Sequence, residues 1–164
     1  MKTRWPQFEE DEIQAVESVL RSRKVNYWSG QECTSLETEF KEYLNVKHAI
    51  TVTNGTSSLE LALEACGIGN GDEVITTCRT FLASASAIVM KGATPVIADV
   101  DLDSQNITLD TIKACMTSKT KAIICVHLAG WPCDMNPIMN FATDNDLWVI
   151  EDCAQAHGAI YKGK

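Results

Sequence analysis

The chain has 164 residues, with 14 Lys and Arg against 22 Asp and Glu and a net charge of −8. A surface of that sign repels phosphodiester backbones and no basic patch offsets it, which argues against a nucleic-acid partner. The first ten residues contain no apolar run of signal-peptide length, and no later stretch approaches 18 consecutive apolar residues, so a cytoplasmic protein without a membrane partner is expected. Seven cysteines, without a Cys-x-x-Cys pair, lie mostly in apolar stretches and read as reduced core thiols.

In chain order, residues 9–23 place Ile13, Val16, Val19 and Leu20 on one helical face behind an acidic start. A linker containing Tyr27, Trp28 and Gly30 follows, and then a helix over residues 35–43 with Leu36, Phe40 and Leu44 as its buried stripe. Residues 49–53 are short and β-branched, as in a buried strand, whereas Leu59, Ala62, Leu63 and Cys66 recur at helical spacing. Between them lies Asn54-Gly55-Thr56-Ser57-Ser58. Gly55 permits a tight turn, and the hydroxyls and free N–H groups of a helix start suit a phosphate. The same Thr and Ser residues would also serve as ordinary N-caps that bind nothing.

Beyond this turn the chain alternates. A strand is expected over residues 73–77, a helix over 81–90, a strand over 94–100, a helix over 109–116, a strand over 121–128, a helix over 134–144 with Pro137 in its first turn, and a strand over 147–150. Asp99, Asp101 and Asp103 cluster without the Gly and distant Glu of a calcium loop, and read as a solvated turn. Cys125 and His127 would share one strand face, and Cys133, Cys153 and His157 follow downstream, but no second pair has structural-zinc spacing, so no metal site is expected.

Five strands alternating with helices imply an α/β fold, a mostly parallel sheet covered on both faces. Ligands in such sheets sit beyond the carboxyl ends of the strands. Asp152 lies just past the apolar strand 147–150, where a carboxylate needs a cationic or hydrogen-bonding partner. A protonated pyridine nitrogen would supply one, and a phosphate-bearing pyridine cofactor would also fill the Gly55 turn. Strand-end Asp residues also cap helices or bind magnesium.

Five motifs carry a family resemblance: Thr53-Asn54-Gly55-Thr56-Ser57-Ser58-Leu59, Gly69-Asn70-Gly71-Asp72-Glu73-Val74-Ile75, Thr80-Phe81-Leu82-Ala83-Ser84, Val126-His127-Leu128 and Glu151-Asp152-Cys153-Ala154-Gln155-Ala156-His157-Gly158-Ala159. With them the chain resembles the pyridoxal-phosphate-dependent nucleotide-sugar aminotransferases of the DegT type. The resemblance implies the three-layer, mostly parallel sheet of the fold-type-I large domain, truncated. Residues 1–47 would be an N-terminal helical segment, and residues 48–164 a partial cofactor domain lacking the Schiff-base lysine and the C-terminal domain. Pyridoxal 5'-phosphate would be the cofactor. Gly55, Thr56 and Ser57 would hold its phosphate, Phe81 would stack on its ring, Asp152 would pair with the ring N–H, and Gln155 would reach the ring's neighbourhood. Without the resemblance, Phe81 would read equally as a core aromatic. His157 is expected to be structural.

The implied reaction moves an amino group, usually from glutamate, onto a nucleotide-linked keto sugar for cell-surface polysaccharide or related sugar biosynthesis, in a homodimer. Ala129 and Trp131 depart from the family pattern, which often has an aromatic and a Gln or His there. The resemblance places the Schiff-base lysine beyond Lys164. Neither Lys162 nor Lys164 is therefore expected to be catalytic, and the chain alone is expected to be inactive. The alternatives are a non-catalytic fragment that binds the cofactor or another phosphate, and a structural partner of a separate C-terminal chain. In the family the strand at residues 49–53 lies beside strands that come later in sequence, so loose order or self-association is expected around residues 48–66.

Overall fold

The computed structural model describes residues 6–163; Lys164 and the first five residues of the N-terminal stretch read above lie outside it. It divides after Thr51 into two compact units.

The first unit holds α1 (Glu10–Ser22) and α2 (Glu32–Tyr43). A capping box between Glu9 and Glu12 starts α1, and Arg23 closes it at φ 62°. Gly30 is required where it stands, because a Cβ there would lie 2.6 Å from the carbonyl oxygen of Lys24. Neither helix contains a buried residue. The expected stripe on α2 is therefore not buried: Leu36 and Leu44 are 53% and 47% exposed. Two short helices present too little facing surface to close over it.

No strand forms over residues 49–53. Ile50 is 72% exposed, and both the N–H and the hydroxyl of Thr51 donate to Oε1 of Glu37, at 2.8 and 2.9 Å. The β-branched pattern encodes strand propensity, but a strand needs a ladder partner. Here a carboxylate on α2 takes the backbone donor instead.

The second unit begins with α3 (Gly55–Ala65) and continues through β1 (Glu73–Thr77), α4 (Ala83–Met90), β2 (Thr94–Ala98), α5 (Leu109–Cys115), β3 (Thr120–Val126), a 3-10 turn (Leu128–Gly130), α6 (Met135–Asp144) and β4 (Trp148–Asp152). Among the described residues the sheet has four strands rather than five, in the order β2-β1-β3-β4, all parallel. The helix expected over 81–90 begins only at Ala83, with Leu82 as its N-cap and Phe81 before it, after a bend over residues 78–80.

Alternate strand residues feed two cores, one on each face. Val74, Ala122, Ile124 and Val126 pack with Leu59 and Leu63 of α3 and Ala87 and Ile88 of α4. Ile75, Ile123 and Cys125 face the other way, onto Ile112 of α5 and Ile138 and Ala142 of α6. The unit is thus a three-layer α/β/α sandwich. Fully parallel strands covered on both faces explain why β3 reads as an unbroken apolar run, Ala-Ile-Ile-Cys-Val. An ion pair between Lys91 and Glu64 adds a tie between α4 and α3. No helix among the described residues is long and apolar enough to cross a membrane.

Candidate functional site

Both helices on one face end near the start of the next strand, α3 before β1 and α4 before β2. Each therefore runs back from the carboxyl edge of the sheet to the amino edge. Eleven helical residues rise about 16 Å, close to the span of a five-residue strand. The N-termini of α3 and α4 consequently share the rim where β4 delivers Asp152.

At the start of α3, Asn54 is the N-cap: its backbone is extended (φ −169°) and its Oδ1 accepts the Ser57 N–H at 2.9 Å. The capping role that the sequence allowed to Thr56 and Ser57 thus falls to Asn54. The Ser57 hydroxyl lies 3.4 Å from that of Thr53. Gly55 does not adopt a positive φ, so the tight-turn argument for it is corrected. Its value is space: a Cβ at 55 would meet nothing within 4 Å. The backbone there lies open, and as first-turn amides the N–H groups of Gly55 and Thr56 have no acceptor within the helix. An open, glycine-floored helix start with hydroxyls beside it fits a phosphate in charge and in shape.

Phe81 lies between β1 and α4, just before the N-cap Leu82, and is 73% exposed, which excludes a core role and leaves a ring face available. Thr80 and Ser84 flank it, with their hydroxyl oxygens 2.7 Å apart. Asp152, the last residue of β4, is half-buried. Its Oδ1 accepts the Ala154 N–H at 3.1 Å, and its Oδ2 accepts the Ser84 hydroxyl at 3.2 Å. Each carboxylate oxygen keeps a further lone pair for a donor such as a protonated ring nitrogen. Ser84 stands inside a motif read from the sequence, yet only the fold brings it to Asp152, 68 positions along the chain.

Gln155 has a different placement. Its Oε1 accepts the Ala129 N–H at 2.7 Å, pinning a residue held at the left-handed φ of 54°. A Cβ at Gly130, where φ is 85°, would come within 3.3 Å of the Gln155 carbonyl. Gln155 therefore ties the loop after β3 to the loop after β4, a role that its motif position did not signal.

The opposite face of the sheet carries a second cluster. Strand alternation sends the neighbours of Asp152 away from it, and His127, Glu151 and Cys153 bring potential ligand atoms within 4.8 Å of one another. The tautomer decides whether they can hold a metal. The thiols of Cys133 and Cys153 and the Glu151 carboxylate pull the ring towards protonation. The Cys133 backbone N–H, however, donates to Nδ1 at 3.0 Å and needs its lone pair there. The ring proton then sits on Nε2 and is donated to Glu151 at 2.9 Å. A metal on Nε2 would demand an imidazolate. The group is thus a hydrogen-bonded clasp between β3 and β4, and it does not fit a metal.

All seven cysteines are free. Cys125 and Cys133 are buried, and half-buried Cys66 and Cys115 pack against the two cores, so the expectation of core thiols holds for those four and fails for exposed Cys78. Cys78 follows the last residue of β1, where the chain leaves the sheet for the rim. Burial, with Cys133 and Glu151 nearby, pushes the Cys125 thiol pKa upward.

A family described as the DegT/DnrJ/EryC1/StrS aminotransferase family matches residues 6–164. GDP-perosamine synthase of Escherichia coli O157:H7 is 46% identical over 151 residues, covering 92% of this chain and 40% of that relative. The crystal structure of an aminotransferase from Psychrobacter cryohalolentis superposes with a TM-score of 0.97 at 58% identity, over 99% of this chain and 41% of that one. The pyridoxal-phosphate form of the sugar aminotransferase Spr1654 from Streptococcus pneumoniae, itself described as putative, gives 0.87 at 32% identity, over 97% and 44%. The chain spans about two fifths of the length of the relatives it matches.

Proposed function

This chain belongs to the DegT/DnrJ/EryC1/StrS aminotransferase family, whose members have the fold-type-I architecture and depend on pyridoxal phosphate, and from that premise we propose that it is the cofactor-holding portion of a sugar aminotransferase. The whole enzyme would transfer an amino group, from a donor such as glutamate, to a keto sugar carried on a nucleotide, in sugar or polysaccharide biosynthesis. Identity to the perosamine synthase supports the substrate class.

The single observation that carries the reading is the shared rim: the open start of α3, exposed Phe81 and the anchored carboxylate of Asp152 lie at one edge of one sheet face. Gly55, Thr56 and Ser57 receive the phosphate, Thr56 and Ser57 adding hydroxyls to the first-turn amides. Phe81 offers a ring face against which a pyridine can stack. Asp152 holds a proton on the ring nitrogen, and Gln155 fixes the loops that border the ring. When bound, the cofactor supplies an electron sink for charge developing at the substrate carbon. Residues 48–164 form this partial cofactor domain, and residues 1–47 the helical segment that precedes it.

Pyridoxamine phosphate titrated into the full chain and followed by cofactor fluorescence tests the assignment. Asp152→Asn keeps the shape and removes the charge that retains the ring proton. A charged hydrogen bond lost there weakens binding about ten- to hundred-fold. Equal affinity of the two proteins would remove Asp152 from the site.

A further inference from the structure

We propose that Ser84, supported by Thr80, is the positioning residue that sets the Asp152 carboxylate for the ring nitrogen; this rests on the cofactor reading above. Ser84 is wholly buried, an unusual place for a hydroxyl unless its hydrogen bonds are made. Its oxygen lies 3.2 Å from Asp152 Oδ2 and 2.7 Å from Thr80 Oγ1. The direction of the chain follows from donor counting. An ionised carboxylate only accepts, so the single Ser84 proton goes to Asp152, and the Ser84 oxygen must accept from Thr80. The result is a polarised series, Thr80 to Ser84 to Asp152, in which each bond strengthens the next.

Its mechanical effect is as specific. Asp152 sits on β4, whereas Ser84 sits in the first turn of α4, which follows β1, and β3 separates those two strands. Ala154 holds one carboxylate oxygen from its own loop. Ser84 holds the other from across the sheet. With both oxygens anchored, the carboxylate plane cannot turn about its terminal torsion, which is otherwise broad for Asp. Ser84 also lies three residues from Phe81, whose carbonyl accepts the Ser84 N–H at 3.1 Å. The stacking ring and the charge that faces the ring nitrogen are thereby registered to each other through one side chain. Such preorganisation is what a site needs when a misplacement of about 1 Å is costly.

The test is a double-mutant cycle read by pyridoxamine phosphate affinity in the full chain, with far-UV circular dichroism to confirm folding. Ser84→Ala is expected to weaken binding about three- to ten-fold, and Ser84→Thr, which returns the hydroxyl, to restore it. In the Asp152→Asn background Ser84→Ala should cost nothing further, because its effect passes through the carboxylate. Thr80→Val, which leaves Ser84 in place and removes only the distal donor, should give about a two-fold loss in the same direction. That arm carries the test if Ser84→Ala does not fold. Unchanged affinity in Ser84→Ala, an equal loss in both backgrounds, or unchanged affinity in Thr80→Val would overturn the role of Ser84 while leaving that of Asp152 standing. Failure of the unsubstituted chain to bind would overturn the cofactor reading and this inference with it.

Discussion

Single side chains divide the two faces of the sheet by chemistry. Facing α3 and α4, Asp152 is an anchored anion with acceptor capacity to spare; facing α5 and α6, His127 and Glu151 satisfy each other. Lys162 lies with the second group. Its ammonium contacts Asp134 at 3.3 Å and sits 4.9 Å from the centre of the Tyr161 ring, which itself packs against the core beneath α5 and α6. Tyr161 and Asp134 raise the pKa of Lys162. Attack on an aldehyde needs the neutral amine, so this lysine is a poor nucleophile. Treatment with pyridoxal phosphate and then borohydride should leave Lys162 without stoichiometric label in a peptide mass map. Stoichiometric marking of that one residue would mean that a reactive amine has been built where only an ion pair is visible. Residue identities in the motifs were sufficient to nominate Asp152, Phe81 and the Gly55 turn. They could not nominate Ser84 or the loop-tying role of Gln155, because both depend on contacts between segments far apart in sequence.

Periodicity was informative about elements wherever an element's partners are themselves in the folded unit. The strands expected over 73–77, 94–100, 121–128 and 147–150 appear within a few residues of those bounds, because their apolar runs are enclosed by α3, α4, α5 and α6. Residues 49–53 have an equally good β-branched pattern and form no strand. Propensity describes what a segment would do in a sheet, and the ladder decides whether it joins one. The Leu36 stripe on α2 fails for the same reason, an apolar pattern with nothing enclosing it.

Glu37 gives the 49–53 segment an acid-sensitive tether. Its carboxyl pKa is lowered from 4.5, first by the Thr51 backbone N–H and then by the Thr51 hydroxyl. A lowered carboxyl pKa contributes order that is fully present above the ordinary value and is lost as pH falls through the lowered one. Amide exchange should accordingly show Thr51 protected relative to Ile50 at neutral pH, with that difference disappearing at acid pH or in Glu37→Gln. Uniform protection across Ile50 to Thr53 would contradict a tether without a ladder and indicate a paired strand.

The second unit as a whole is a sheet whose two faces carry different side-chain chemistry. The carboxyl rim gathers the start of α3, the Phe81 segment before α4 and the end of β4, which follows from connectivity alone once the strands are parallel and each helix must return to the amino edge. That logic was legible in the alternation of periods along the chain. Which of the two faces would be used was not, since it depends on whether Asp152 or its neighbours Glu151 and Cys153 point towards α4, a one-residue matter of register. The most direct test is a ¹⁵N–¹H correlation spectrum of the full chain during addition of pyridoxamine phosphate. Shift changes should concentrate at Gly55 to Ser57, Thr80 to Ser84 and Asp152 to Gln155, and spare the amides of Asn136 and Tyr161. Changes centred instead on the His127, Asn136 and Tyr161 side would place the ligand on the wrong face of the sheet and contradict the assignment.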